Sequence, residues 1–255
     1  MLRFQFRNII ITPAAVISIL GLYLFLIVSL HPRLSADLMY NYHYAIALGY
    51  GIMFIPVTSV LPICFYLHQI GIKQSEQLLL IRSSLLSYAR SSILSAIASG
   101  MTVTLGAFLL FTITCCLYSP TGAPYIGLGM YSVESYGGTI YAKLFDYPTA
   151  LYALMGAIFT LNGAMWPMVS LLCFTFTKNQ YIVASIPFIM ETVLAYIGGL
   201  LSLYYLDPGQ LKLFGSVSAH WAGGGIPYAL GYIGSVILLC GSIWTIRKYR
   251  EVRYA

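Results

Sequence analysis

The sequence is poor in charged residues. Asp, Glu, Lys and Arg make up 8% of the 255 residues, whereas hydrophobic residues make up 59%, and the mean hydropathy is +0.83. A water-soluble domain of this length needs roughly a quarter of its residues charged to stay dispersed. The shortage of charge therefore excludes a soluble globular protein and indicates that the chain folds in a lipid bilayer.

Signatures of catalysis and metal binding are also missing. The sequence has no GxxxxGK[ST] phosphate-binding loop and no HExxH or GxSxG motif. Its cysteines form no CxxC pair and have no histidine at ligand spacing, so we interpret them as small buried hydrophobic residues: Cys64, Cys115, Cys116, Cys173 and Cys240. We expect no cofactor, no metal and no enzymatic activity in this chain itself.

Six apolar segments are long enough to cross a membrane. A hydrocarbon core of about 30 Å needs about 20 apolar residues in a helix, because lipid leaves no partner for an unpaired backbone group. The segments lie at approximately residues 9–30, 44–67, 93–117, 150–176, 181–206 and 228–246. They predict an all-α polytopic protein in which residues 1–255 form a single transmembrane domain. The first segment is too long for a signal peptide and has no small-residue cleavage site, so we expect it to stay uncleaved.

The basic residues predict the orientation. With six spans, ten of the 13 Lys and Arg residues lie on the side of the two termini, and only Arg33, Lys143 and Lys212 lie on the other. Cytoplasmic loops carry the excess of basic residues, so we expect a cell-membrane protein with both termini in the cytoplasm. The net charge of +6 comes from residues that flank the spans, so we expect no nucleic-acid partner.

Glu191 is the only acidic residue within the predicted spans. A charged carboxylate at this depth costs several kcal/mol, so we expect Glu191 to be protonated, hydrogen-bonded or directed into a wet cavity. Tyr196 on the same helix and Asn162 on the fourth span are candidate neighbours. The group can lock helices together, or it can belong to a transport pathway, in which case a secondary transporter or an intramembrane enzyme would use Glu191.

Several span glycines permit close helix approach: Gly51, Gly100, Gly106, Gly156, Gly163, Gly198 and Gly199.

The loop between the second and third spans predicts a short amphipathic helix. Leu78, Ile81 and Leu85 recur at helical spacing, and Arg82 lies elsewhere on the helical wheel. Such a helix can rest on the inner leaflet, or it can dock a cytoplasmic partner.

The six-span layout and this loop resemble the permease subunits of type-2 ABC exporters. The shared pattern is Glu76, a leucine run, Arg82 and Ser83, then Tyr88 and Arg90 just before the third span. The resemblance implies that residues 76–87 form a coupling helix, received by a cytoplasmic ATP-binding cassette ATPase subunit that holds the ATP and Mg. The implied coupling residues are Glu76, Leu79, Ile81, Arg82 and Ser83. It also implies export and a second permease chain, identical or related. The apolar, tyrosine-rich and nearly uncharged interior of such a chain suits an amphipathic substrate, such as a peptide, a lipid or a hydrophobic drug, better than an ion.

A second point of resemblance lies between the fifth and sixth spans. Residues 207–227 are half polar and broken by Gly and Pro, but they contain Phe214 and Trp221. In the family, short re-entrant helices at this place help to close the outer end of the pathway, so Phe214 and Trp221 are candidate outer-gate residues. The alternative is an ordinary surface loop with an interfacial tryptophan anchor.

Overall fold

The computed structural model describes residues 7, 9–30, 34–35, 37–48, 51–72, 84–118, 147–201 and 225–254. In these ranges the chain forms seven α-helices: α1 (Pro13–Leu30), α2 (Leu38–His43), α3 (Gly51–Ile72), α4 (Leu85–Leu117), α5 (Pro148–Cys173), α6 (Gln180–Leu200) and α7 (Gly225–Tyr254). A π-helical turn, Tyr44–Leu48, follows α2. All of the helices except α2 are long and apolar enough to cross a membrane. The prediction of an all-α polytopic membrane protein with six transmembrane helices is confirmed.

The third membrane helix begins earlier than the sequence predicts. α4 starts at Leu85 instead of residue 93, and Ser84 caps it, since the Ser84 Oγ accepts a hydrogen bond from the Ser87 backbone N–H at 3.3 Å. Residues 85–87, predicted to end a separate amphipathic helix, are therefore the first turn of α4. An amphipathic loop helix and the polar start of a membrane helix share one periodicity, so the pattern alone does not locate the break between them.

A short helix between the first and second spans was not predicted. The Asp37 carboxylate caps α2 by accepting hydrogen bonds from two backbone N–H groups of its first turn, at 2.9 and 3.4 Å. Tyr42 is 2% exposed and packs against the aromatic rings of Phe108 in α4 and of Tyr152 and Phe159 in α5. The predicted second span began at residue 44 because residues 44–48 continue the apolar run; α3 itself begins at Gly51.

α5 is the central helix of the bundle. Of its most apolar 18-residue window, 78% is buried, against 22% for α6 and 28% for α1. It packs against α3, α4, α6 and α7. The largest buried side chains fill the interior around it: Trp166, Trp244, Tyr42, Phe111 and Phe159.

α4 and α5 approach each other most closely where both carry glycine. A Cβ atom added to Gly100 would overlap the carbonyl oxygen of Gly163, and one added to Gly163 would overlap the Thr104 side chain. The Thr104 Oγ1 lies within hydrogen-bonding distance of the carbonyl oxygens of Gly100, at 2.9 Å, and Thr160, at 3.1 Å. Close approach is therefore confirmed for these glycines, whereas a Cβ at Gly199 would meet nothing within 4 Å.

Several basic residues gather at one end of the bundle, which we call the basic end: Arg90, Lys178, Arg247, Lys248 and Arg250. Contacts between helices show that the start of α4, the turn between α5 and α6, and the end of α7 meet there. The Arg247 guanidinium lies 3.9 Å from the centroid of the Phe176 ring, and the Tyr88 and Trp244 rings are 5.9 Å apart. The positive-inside rule infers the orientation of a membrane protein from such an excess of basic residues at one end.

Candidate functional site in the middle of the bundle

Glu191 lies on the buried face of α6. The buried residues on that face follow each other at four-residue spacing: Val183, Pro187 and Glu191. The Glu191 side chain is 6% exposed. Because α6 packs against α3 and α5, the carboxyl group is directed into the bundle and away from lipid. An ionisable group in that position is the usual mark of a functional or tightly packed polar contact in a membrane protein.

Asn162 lies at the same depth as Glu191. The Ser170 hydroxyl of α5 donates a hydrogen bond to the Val183 carbonyl of α6 at 3.0 Å, which sets the register of these two antiparallel helices. Asn162 precedes Ser170 by eight residues and Glu191 follows Val183 by eight, so each lies about 12 Å from that hydrogen bond along its helix. Asn162 and Glu191 thus share one depth, and Asn162 as the cross-helix neighbour of Glu191 stays a prediction.

The Asn162 amide is only partly satisfied within the described part of the chain. It is fully buried, and its Oδ1 accepts a hydrogen bond from Trp166 Nε1 at 3.3 Å. Its Nδ2 has no hydrogen-bond partner among the described residues. A buried donor in this state costs about 1–3 kcal/mol, so the site favours a polar group or a water molecule beside the amide.

Ser59 of α3 adds a third polar group near this depth. Its side chain is fully buried, and within the described ranges its Oγ has no hydrogen-bond partner. The Cys64 thiol lies against the Ser170 hydroxyl, and Ser59 is about 7.5 Å from Cys64 along α3, toward the level of Asn162. We call Ser59, Asn162 and Glu191 the polar layer. It offers a carboxyl, an amide and a hydroxyl group for hydrogen bonding inside the bundle.

Tyr196 does not belong to the polar layer. Its side chain is 71% exposed, on the outer face of α6, whereas Glu191 is buried. Five helical residues correspond to a rotation of about 140° beyond one full turn, which separates the two faces. The expectation that Tyr196 is a neighbour of Glu191 is therefore corrected.

Sequence reasoning did not single out Ser59. Serine is common in membrane helices, where it bonds to its own backbone. Ser59 is marked here by its depth, near that of Asn162, and by an Oγ that has no hydrogen-bond partner among the described residues. The remaining predicted site residues lie outside the described residues: Glu76, Leu79, Ile81, Arg82, Ser83, Phe214 and Trp221. Among the described residues, no group of three or more His, Cys, Asp or Glu side chains could hold a metal ion.

Comparisons of the chain with protein-family models, curated proteins and solved structures find no match.

Proposed function

We propose that this chain is the permease subunit of an ATP-driven ABC exporter in the cell membrane. In this proposal a cytoplasmic ATP-binding cassette subunit binds and hydrolyses ATP with Mg²⁺, and it docks on the segment that contains Glu76, Leu79, Ile81, Arg82 and Ser83. Two permease chains, identical or related, form the transport path. The proposal starts from the resemblance of the loop sequence and the six-span layout to such permeases.

The positions of the two helix ends that this loop joins carry the proposal. Residues 73–83 connect the end of α3 to the start of α4, and α4 starts at the basic end, beside the end of α7. The positive-inside rule assigns the basic end to the cytoplasm, which also puts both termini there. A coupling segment is needed on that side, where a soluble ATPase subunit is available.

The filled interior of the bundle supports a path between two chains over a path within one. The centre is occupied by α5 and by buried aromatic side chains such as Trp166, Phe111 and Phe159. A single chain packed in this way offers little room for an amphipathic substrate. The chain contains 22 tyrosines, whose apolar rings and polar hydroxyl groups suit a peptide, a lipid or a hydrophobic drug.

Loss of the ATPase subunit on mutation of the loop tests the proposal. We expect affinity purification of the tagged chain from its native membrane to yield a subunit that has a phosphate-binding loop and hydrolyses ATP. Glu76→Ala combined with Arg82→Ala should remove that subunit, because both residues belong to the proposed docking surface. Mass spectrometry and ATPase assays of the purified material measure both outcomes.

Lys178→Ala provides the matched control. Lys178 is an exposed basic-end residue in the turn between α5 and α6, so its loss should leave the ATPase subunit bound. Purification of the wild-type chain without any ATPase, or an unchanged complex in the loop variant, would count against the proposal.

The buried carboxyl group supports a second candidate, a proton-linked secondary transporter that needs no ATPase. Its basis is Glu191, 6% exposed in a membrane helix at the depth of Asn162. In proteoliposomes that contain only this chain, this candidate predicts a pH-dependent substrate flux that Glu191→Gln abolishes while Tyr196→Phe preserves it. Absence of flux in the wild-type chain alone, with flux restored by an ATPase subunit, would exclude it.

A further inference from the structure

A groove opens on the surface between α4 and α7. Its volume is about 460 Å³, and it is lined by Ile93 of α4 and by α7 residues from Ile237 to Ile246. Gly241 is one of the lining residues, and a Cβ added to it would lie 3.4 Å from both Ile93 Cδ1 of α4 and Met168 Cε of α5. Leu238, on the α7 rim, is 71% exposed. The groove is therefore apolar and open to the hydrocarbon core of the membrane.

The groove leads to two exposed arginines at the basic end. On α7, Leu238, Ser242 and Ile246 line the groove at four-residue spacing, and Arg250 is the next residue of this stripe. On α4, Arg90 lies one turn from Ile93 toward the basic end. Both arginines are exposed, and their long side chains can extend along an apolar surface to place the guanidinium groups at the headgroup level.

Two other basic residues of α7 are engaged elsewhere. The Arg247 guanidinium stacks on Phe176, and the buried Lys248 ammonium forms an ion pair with Glu251 at 2.8 Å. Among the basic side chains that the structure describes, Arg90 and Arg250 are therefore the cations that continue the two walls of the groove.

We propose that this groove binds one anionic phospholipid. An acyl chain lies along the apolar wall between Ile93 and Ile246, and the phosphate group accepts hydrogen bonds from Arg90 and Arg250. The two guanidinium groups complement a headgroup with a net negative charge, whereas a zwitterionic headgroup would add a positive charge beside them. The site does not depend on the transport function proposed above, since it uses only the surface of α4 and α7.

Lipid competition on the purified full-length chain tests this site. Native mass spectrometry in detergent with equal amounts of dioleoylphosphatidylglycerol and dioleoylphosphatidylcholine should show one phosphatidylglycerol molecule retained in preference. Arg90→Ala and Arg250→Ala should each weaken its binding about fivefold, as expected for one basic residue at an anionic lipid surface. Lys178→Ala, at the same end but away from the groove, should leave binding unchanged.

Filling the groove provides a second arm that leaves the arginines in place. Ser242 is exposed on the groove wall, so Ser242→Trp should displace the acyl chain without disturbing the core and should abolish the preferred binding. Equal retention of both lipids by the wild-type chain would overturn the proposal. So would unchanged phosphatidylglycerol binding in the double arginine variant or in Ser242→Trp, or an equal loss in Lys178→Ala.

Discussion

Alanine at Gly100 or Gly163 should destabilise the bundle by about 1–3 kcal/mol, the usual range for overpacking a close contact. At Gly100 the new Cβ would meet the backbone carbonyl of Gly163, which cannot rotate away, so relaxation requires α4 and α5 to separate. Separation would also break the contact of Thr104 Oγ1 with the Thr160 carbonyl, at 3.1 Å. In lipid, helix association depends on this kind of packing because the solvent is itself apolar.

Thermal unfolding followed with a thiol-reactive fluorescent dye measures this effect. Cys64 and Cys115 are buried free thiols that react only when the bundle opens. The midpoint for Gly100→Ala or Gly163→Ala should fall by several degrees, on the scale of about 2–4 °C for each kcal/mol in a chain of this size.

Gly234→Ala is the control for the glycine variants. A Cβ at Gly234, within α7, would meet nothing within 4 Å, so alanine there should leave the midpoint unchanged or raise it through its better helix propensity. Equal midpoints for all three variants would show that α4 and α5 do not meet through their glycines.

The membrane spans could be predicted from sequence because the bilayer imposes a length and a polarity on each helix. The predicted first and third spans end at Leu30 and Leu117, as α1 and α4 do. The errors fall where another force decides the boundary. Ser84 starts α4 early by capping it, and Asp37 starts a separate short helix before the second span. Capping depends on one side chain, which an average over about 20 apolar residues does not detect.

The candidate site could be predicted only in part. Glu191 stands out in any reading of the sequence because charge is rare inside a membrane helix. Its depth beside Asn162 follows from the Ser170–Val183 hydrogen bond, and the sequence does not encode which helices are neighbours in a recognisable motif. Ser59 resembles the other hydroxyl residues of the spans in the sequence. It can be assigned to the polar layer only once the packing of α3 against α5 and α6 is known. Tyr196 looked like a neighbour of Glu191 by sequence distance alone, but helical rotation places it on the opposite, exposed side.

Trp166→Ala should have the largest effect on stability, a loss of about 3–5 kcal/mol, as for large-to-small changes in a packed core. Trp166 is 1% exposed on the central helix and, with Trp244, is one of the two largest fully buried side chains among the described residues. Lipid cannot fill the resulting cavity, so its walls lose their van der Waals contacts. The Asn162 Oδ1 also loses the indole N–H donor at 3.3 Å. Trp166→Phe keeps a ring in place and removes that donor, so it should cost only about 1 kcal/mol.

Tyr196→Ala separates this core effect from the loss of an aromatic ring in general. Tyr196 is 71% exposed on α6, so its side chain already contacts lipid in the folded bundle. Its replacement should therefore change the stability by about 0.5 kcal/mol or less. The same thiol-labelling midpoints compare the variants. The order Trp166→Ala, Trp166→Phe, Tyr196→Ala, from most to least destabilised, follows from a bundle built around α5. A Trp166→Ala midpoint as high as that of Tyr196→Ala would mean that α5 faces lipid. The placement of Asn162 and Glu191 at one depth inside the bundle would then also be wrong.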